Sequence, residues 1–205
     1  MIDAILLDRD GTINVERADY VKSIDEFVLL SGALAALGSL AALPVPIIVV
    51  TNQSVIGRGI VTRAAVDAIH AHMCSVVSAA GGRIDAVYLC PHHPAAHCAC
   101  RKPNPGLLVA AAADFQVDLA RCVFIGDSVT DFAAAQAVGC HAVLLRTGRQ
   151  AEEVARLAEV NQAVVLMDNL PAAVNWLVGQ WRAETGICGS IRTQTLDAVQ
   201  PAQME

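Results

Sequence analysis

Two carboxylates, Asp8 and Asp10, flank Arg9 and run into Gly11-Thr12 directly after the apolar stretch Ala4–Leu7. Residues two apart on an extended chain point to the same side, so the two acids sit together, and Gly11 then permits a sharp turn. Paired carboxylates repel unless a proton or cation lies between them. A third acid, Asp127, stands in Gly126-Asp127-Ser128 after another apolar run. Oxygen ligands of this kind, with room for waters and a substrate phosphate, suit Mg²⁺. Thr51 and Asn52 offer a hydroxyl, an amide and backbone N–H groups for phosphate oxygens, and Lys102, stiffened by Pro103, offers a point cation. Taken singly, each of these is as consistent with a solvated turn as with a site.

A second chemistry is concentrated between residues 90 and 102. Cys90-x-His92 and Cys98-x-Cys100 supply three thiolates and an imidazole, the closed set expected of structural Zn²⁺. The intervening Pro91-His92-His93-Pro94-Ala95-Ala96-His97 is not core composition, and His93 and His97 compete with His92 for the fourth position. Cys74, Cys122 and Cys140 lie in apolar contexts that favour packing; Cys188 receives no role. The acidic, short N-terminal run does not resemble a signal peptide, so a reducing, cytoplasmic compartment is expected and disulfides are disfavoured.

The elements that must position these groups alternate. Buried strands are read at Ala4–Leu7, Val45–Val50, Ile84–Leu89, Cys122–Ile125, Ala142–Leu145 and Ala163–Met167. Helices are read at Ser31–Leu43, capped by Ser31; Thr62–Ala80, capped by Thr62; Asn104–Phe115, with Pro105 in its first turn; Ser128–Val138; Ala151–Glu159; and Leu170–Trp181. Such alternation implies an α/β fold, a doubly wound parallel sheet. Four polar clusters then follow four strands: Asp8–Thr12, Thr51–Ser54, Cys90–Lys102 and Gly126–Ser128. In parallel sheets ligands bind beyond the carboxyl ends of the strands, so the clusters are expected to meet in one site. Residues 1–182 are read as one domain and 183–205 as a loosely ordered tail.

Composition sets the outer limits. The 205 residues are 55% hydrophobic and 17% charged, with a net charge of −6. That acidity, without a basic stripe, opposes a nucleic-acid partner. The longest apolar run, Leu40–Val50, contains Pro44 and Pro46 and is far short of the roughly 20 residues a membrane span requires. No membrane association is expected, and a monomer is.

Together, Asp8-Arg9-Asp10-Gly11-Thr12, Thr51-Asn52-Gln53-Ser54, the Cys90–Pro103 loop and Gly126-Asp127-Ser128 resemble the haloacid-dehalogenase-like phosphatases. Within them the likeness is to the D-glycero-D-manno-heptose 1,7-bisphosphate 7-phosphatase family and the related histidinol-phosphatase domain, over residues 2–180. The resemblance implies a Rossmann-like core without a large cap domain, and a small phosphorylated sugar as substrate. It implies that Asp8 is the nucleophile and Asp10 the acid and base. Asp8, the Asp10 carbonyl and Asp127 would hold Mg²⁺. Thr51, Asn52 and Lys102 would bind the transferring phosphate, Gln53 and Ser54 would also bind the substrate, and Arg101 would reach its second phosphate. Cys90, His92, Cys98 and Cys100 would hold Zn²⁺, Asp131 would shape the site from behind, and Glu16–Tyr20 would line the sugar side. Histidinol phosphate is the alternative substrate. Relatives usually carry glycine where this chain has Val55, a position at which positive φ would favour glycine.

Overall fold

The computed structural model describes residues 2–185. Six strands form one parallel sheet: β1 (Ala4–Leu7), β2 (Ile47–Asn52), β3 (Ala86–Cys90), β4 (Cys122–Gly126), β5 (His141–Leu145) and β6 (Val165–Met167), in the order β3-β2-β1-β4-β5-β6. Their side chains alternate between two cores. Ile5, Leu7, Ile47, Val49, Val123 and Ile125 enter one; Ala4, Leu6, Ile48, Val50, Cys122 and Phe124 enter the other. Strands buried on both faces read as continuous apolar runs, which is why they are visible in the sequence.

Helices cover both faces. α1 (Ala33–Ala41), α3 (Arg63–Ala79) and α7 (Leu170–Thr185) pack through Leu37, Leu40, Ile69, Met73, Val174 and Leu177 on the first core. α4 (Gly106–Phe115), α5 (Val129–Gln136) and α6 (Ala151–Val160) pack through Leu107, Leu108, Phe132, Ala134 and Val154 on the second. The order in which successive strands are added reverses between β1 and β4, and their carboxyl ends open the crevice where such folds bind ligands. Asp8 follows β1 and Asp127 follows β4.

Several boundaries differ from the sequence reading. α1 starts at Ala33, and its N-cap is Gly32 at φ +75° rather than Ser31. A side chain there would also press on Pro171, so tight α1–α7 packing requires glycine. β2 begins at Ile47, after Pro46, which has no N–H to give a ladder, and runs on through Thr51 and Asn52. Pro105 is the N-cap of α4 rather than its first helical residue. A four-residue helix, α2 (Ser54–Gly57), was not expected. Val55 lies buried within it and is not among the positive-φ residues, so its loop needs no glycine. α7 continues to Thr185, beyond the boundary drawn at 182; from 186 the expected tail, with Cys188, lies outside the described residues. Among the described residues no helix is long and apolar enough to cross a membrane.

Candidate active site

The cleft at the switch point encloses about 250 Å³. Its lining includes Asp8, Asp10, Thr51, Asn52, Gln53, Ser54, Arg101, Lys102 and Asp127, so every expected site residue outside the cysteine cluster reaches it. Glu16, Arg17, Ala18 and Tyr20 line it too, on the side expected for the sugar.

Lys102 is the electrostatic centre. Only 2% exposed, its ammonium ion-pairs with Asp8 Oδ1 at 2.9 Å and Asp131 Oδ1 at 2.6 Å, and donates to the Val50 carbonyl at 2.9 Å. Burial works against its charge, yet Asp131 and Asp8 hold its pKa above the usual lysine value. Asp131 is also the acid of a capping box. Its Oδ2 accepts from the backbone N–H groups of Asp127 (3.2 Å) and Ser128 (3.1 Å) and from Ser128 Oγ (2.7 Å), while Asp131 N–H donates to Ser128 Oγ. It therefore fixes the α5 start that presents Asp127, in keeping with a role behind the site.

Asp127 is wedged between backbones. A Cβ on Gly11 (φ +79°) or on Gly148 would collide with its carboxylate, so both loops approach it bare. Burial, then Asp8, Asp131 and Glu16, raise its pKa well above the carboxylate range. Asp8 is pushed up to about 7, chiefly by burial, against the pull of Lys102. Oxygens of Asp8, Asp127 and Asp131 lie within 4.8 Å of one another. Three buried carboxylates this close, presenting only oxygen, fit a hard divalent cation.

Asp10 is held differently. Arg9 Nη2 lies 2.8 Å from both of its oxygens, Asn14 Nδ2 donates at 2.9 Å and Gln53 Nε2 at 2.8 Å. Burial alone would raise its pKa; Arg9, Asn14 and Gln53 lower it below the usual value. Gln53, expected on the substrate, also donates to Thr51 Oγ1 at 2.9 Å, so its amide supports Asp10 and Thr51. Asn52 exchanges two hydrogen bonds of 3.1 Å with the backbone of Lys102, tying β2 to the cysteine loop. Neither side-chain role is visible in spacing.

In the loop after β3 the four expected ligands gather. Cys90, Cys98 and Cys100 sulfurs are 3.4–3.5 Å apart, and His92 Nδ1 is 3.2 Å from Cys100 Sγ and 3.6 Å from Cys90 Sγ. Tetrahedral ligands around a zinc-sized centre stand roughly 3.7 Å apart. His93 instead caps a 3₁₀ turn at Pro94–Ala96 by accepting from Ala95 N–H, and His97 ends that turn in the left-handed region, φ +46°. The cluster thus forms on His92. Cys74, Cys122 and Cys140 are free thiols away from it.

Sequence reasoning missed Arg9, 1% exposed, and His70, 6% exposed, whose Nε2 lies 3.0 Å from Arg9 Nη1. The available signal was His70's place on the buried stripe of α3 with Val66, Ile69 and Met73. Burial, then Arg9, lowers the His70 pKa to about 4, against 6.5 in an exposed chain. The unfolded chain binds this proton more readily, so the associated stability is complete above about pH 6.5 and is lost as pH falls towards 4. At the low end the loss reaches about 3 kcal/mol. Thermal unfolding of wild type and His70→Gln across that window checks this: the variant should show the shallower decline.

A doubly wound sheet carrying a DxDG acid pair, a third acid and a buried lysine at its switch point defines a haloacid-dehalogenase-like hydrolase. A HAD-hydrolase-like family profile matches residues 99–173. The D-glycero-beta-D-manno-heptose-1,7-bisphosphate 7-phosphatase of Pseudomonas aeruginosa is 36% identical over 174 residues, 85% of this chain and 97% of that one. Its Escherichia coli K12 counterpart is 37% identical over 180 residues, 80% and 94% of the two chains. The crystal structure of D,D-heptose 1.7-bisphosphate phosphatase from B. bronchiseptica, complexed with magnesium and phosphate, superposes with a TM-score of 0.82. It is 35% identical, over 87% of this chain and 99% of that one. A Clostridium difficile β-phosphoglucomutase, 12% identical at a TM-score of 0.57, shares the fold alone. The chain belongs to the D-glycero-D-manno-heptose 1,7-bisphosphate 7-phosphatase family and is a phosphoric monoester hydrolase.

Proposed function

We propose that this chain removes the C7 phosphate of D-glycero-D-manno-heptose 1,7-bisphosphate through an aspartyl-phosphate on Asp8, in heptose precursor synthesis. The observation that carries the reading is the meeting of Asp8, Asp127 and Lys102 at the β1–β4 switch point, in a chain whose relatives over most of its length bear that activity in their names. Those relatives favour the heptose bisphosphate over histidinol phosphate. The reading extends to a cytoplasmic monomer.

Asp8, the Asp10 carbonyl and Asp127 would hold Mg²⁺, which when bound neutralises charge on the phosphoryl group. Asp8 attacks phosphorus, and the bond to the sugar oxygen breaks as Asp10, having taken up a proton in the substrate complex, passes it to that oxygen. Water then attacks phosphorus, the Asp8–phosphorus bond breaks, and Asp10 takes the water's proton. Thr51 and Lys102 orient the transferring group. Arg101, whose Nη1 is buried without a hydrogen-bond partner beside the cleft, is available for the second phosphate.

Cys90, His92, Cys98 and Cys100 would hold Zn²⁺, whose role is to order the loop carrying Arg101 and Lys102. One zinc per chain is expected by elemental analysis. Cys98→Ser should lose that zinc and lower Tm by several degrees. Undiminished Tm with no bound zinc in the wild-type chain would sink this assignment.

Phosphate release with Mg²⁺ from the heptose bisphosphate and from histidinol phosphate tests the substrate. A clear kcat/KM preference for the bisphosphate is expected, and one for histidinol phosphate would overturn it. Arg101→Ala should raise KM for the bisphosphate by about 10-fold or more, the scale of a lost charged contact.

A further inference from the structure

His70 lies on α3, 61 residues from Arg9 in sequence, yet its Nε2 sits 3.0 Å from Arg9 Nη1 in a buried setting. Arginine only donates, so Nε2 is the acceptor and the imidazole is neutral there. The other terminal nitrogen of the same guanidinium grips Asp10, with Nη2 at 2.8 Å from each carboxylate oxygen. Arg9 follows the nucleophile directly, and its backbone N–H donates to Asp8 Oδ1 at 2.7 Å. A planar fork with one terminal nitrogen on the carboxylate and the other on a helix side chain cannot rotate without breaking one contact. Arg9 Nε has no partner that would hold the plane otherwise.

We propose that His70 is a positioning residue for the hydrolysis of the phosphorylated enzyme: by anchoring Arg9 it holds the Asp10 carboxylate where it receives the proton of the attacking water. This rests on the aspartyl-phosphate reading above. In that step the water oxygen bonds to phosphorus, the phosphorus–Asp8 bond breaks and one water proton passes to Asp10. The clamped Asp10 of the resting chain, surrounded by donors from Arg9, Asn14 and Gln53, is arranged as the acceptor this step needs. Loss of the anchor should slow the second half-reaction more than the first.

The test is steady-state kinetics with Mg²⁺ and heptose bisphosphate on wild type, His70→Leu, His70→Gln and Asp10→Asn, with acid quenching to measure phosphate bound to Asp8. In His70→Leu, kcat should fall about 10-fold, the scale of a misplaced catalytic group. KM should fall with it, kcat/KM should change little, and phosphorylated Asp8 should accumulate. His70→Gln, which keeps an acceptor, should restore most of kcat. If His70→Leu does not fold, Arg9→Lys, which keeps the charge but cannot reach both partners, should give the same split. Equal falls in kcat and kcat/KM without accumulation, or no fall at all, would overturn the role of His70. If Asp10→Asn accumulates phosphorylated Asp8 and the His70 variants do not, only this proposal fails. If Asp8→Asn, assayed beside them, still turns over, the covalent reading fails and takes this proposal with it.

Discussion

Asp8→Asn is expected to lower kcat by on the order of 10⁴-fold or more, because it removes the nucleophile and an amide oxygen does not replace it. The same change should leave the fold intact. Burial raises the Asp8 carboxyl to about 7, and the Lys102 ammonium keeps its pairing with Asp131 in the variant. An isosteric neutral amide also removes a charge beside Asp127 and Asp131. Circular dichroism, Tm and phosphate release on one preparation check both halves. Tm should match or exceed that of wild type while activity disappears. Retained turnover would remove Asp8 from the nucleophile's role.

Lys102→Met is expected to damage stability and activity together. Its ammonium is the buried counter-charge to two acids and a donor to the Val50 carbonyl. Removing one member of a buried ionic cluster leaves the others uncompensated, a loss of about 3–5 kcal/mol where the geometry is tight. The transferring phosphate loses its cation as well, about 10²- to 10³-fold in kcat. Added Mg²⁺ should recover part of the Tm, since it brings positive charge back to the acid cluster, but not the activity. A variant as stable as wild type without metal would show that Lys102 is not the cluster's counter-charge.

The strand runs, and the polar groups that follow them, were legible because a doubly covered sheet writes its strands as unbroken apolar segments. Asp8, Thr51, Cys90 and Asp127 all emerge at the expected ends. The cysteine loop was legible as chemistry through its spacing, but the choice of His92 was not. That depended on His93 being taken up by a 3₁₀ cap and His97 by a left-handed turn. Spacing also could not reveal what the polar side chains do once folded. Asn52 and Gln53 face the cleft but hold Lys102 and Asp10. The Arg9–His70 contact joins residues brought together only by packing α3 under the β1 loop. Ser128 and Asp131 stood at capping-box spacing, a signal available in the sequence; that Asp131 also meets Lys102 required the fold.

The most direct test of the central claim is phosphorus NMR of D-glycero-D-manno-heptose 1,7-bisphosphate during turnover by the full chain with Mg²⁺, beside the Asp8→Asn variant. Loss of the C7 phosphate signal with the anomeric phosphate retained, in wild type alone, is the expected result. Release of the anomeric phosphate first, no release with Mg²⁺, or equal release by Asp8→Asn would contradict it.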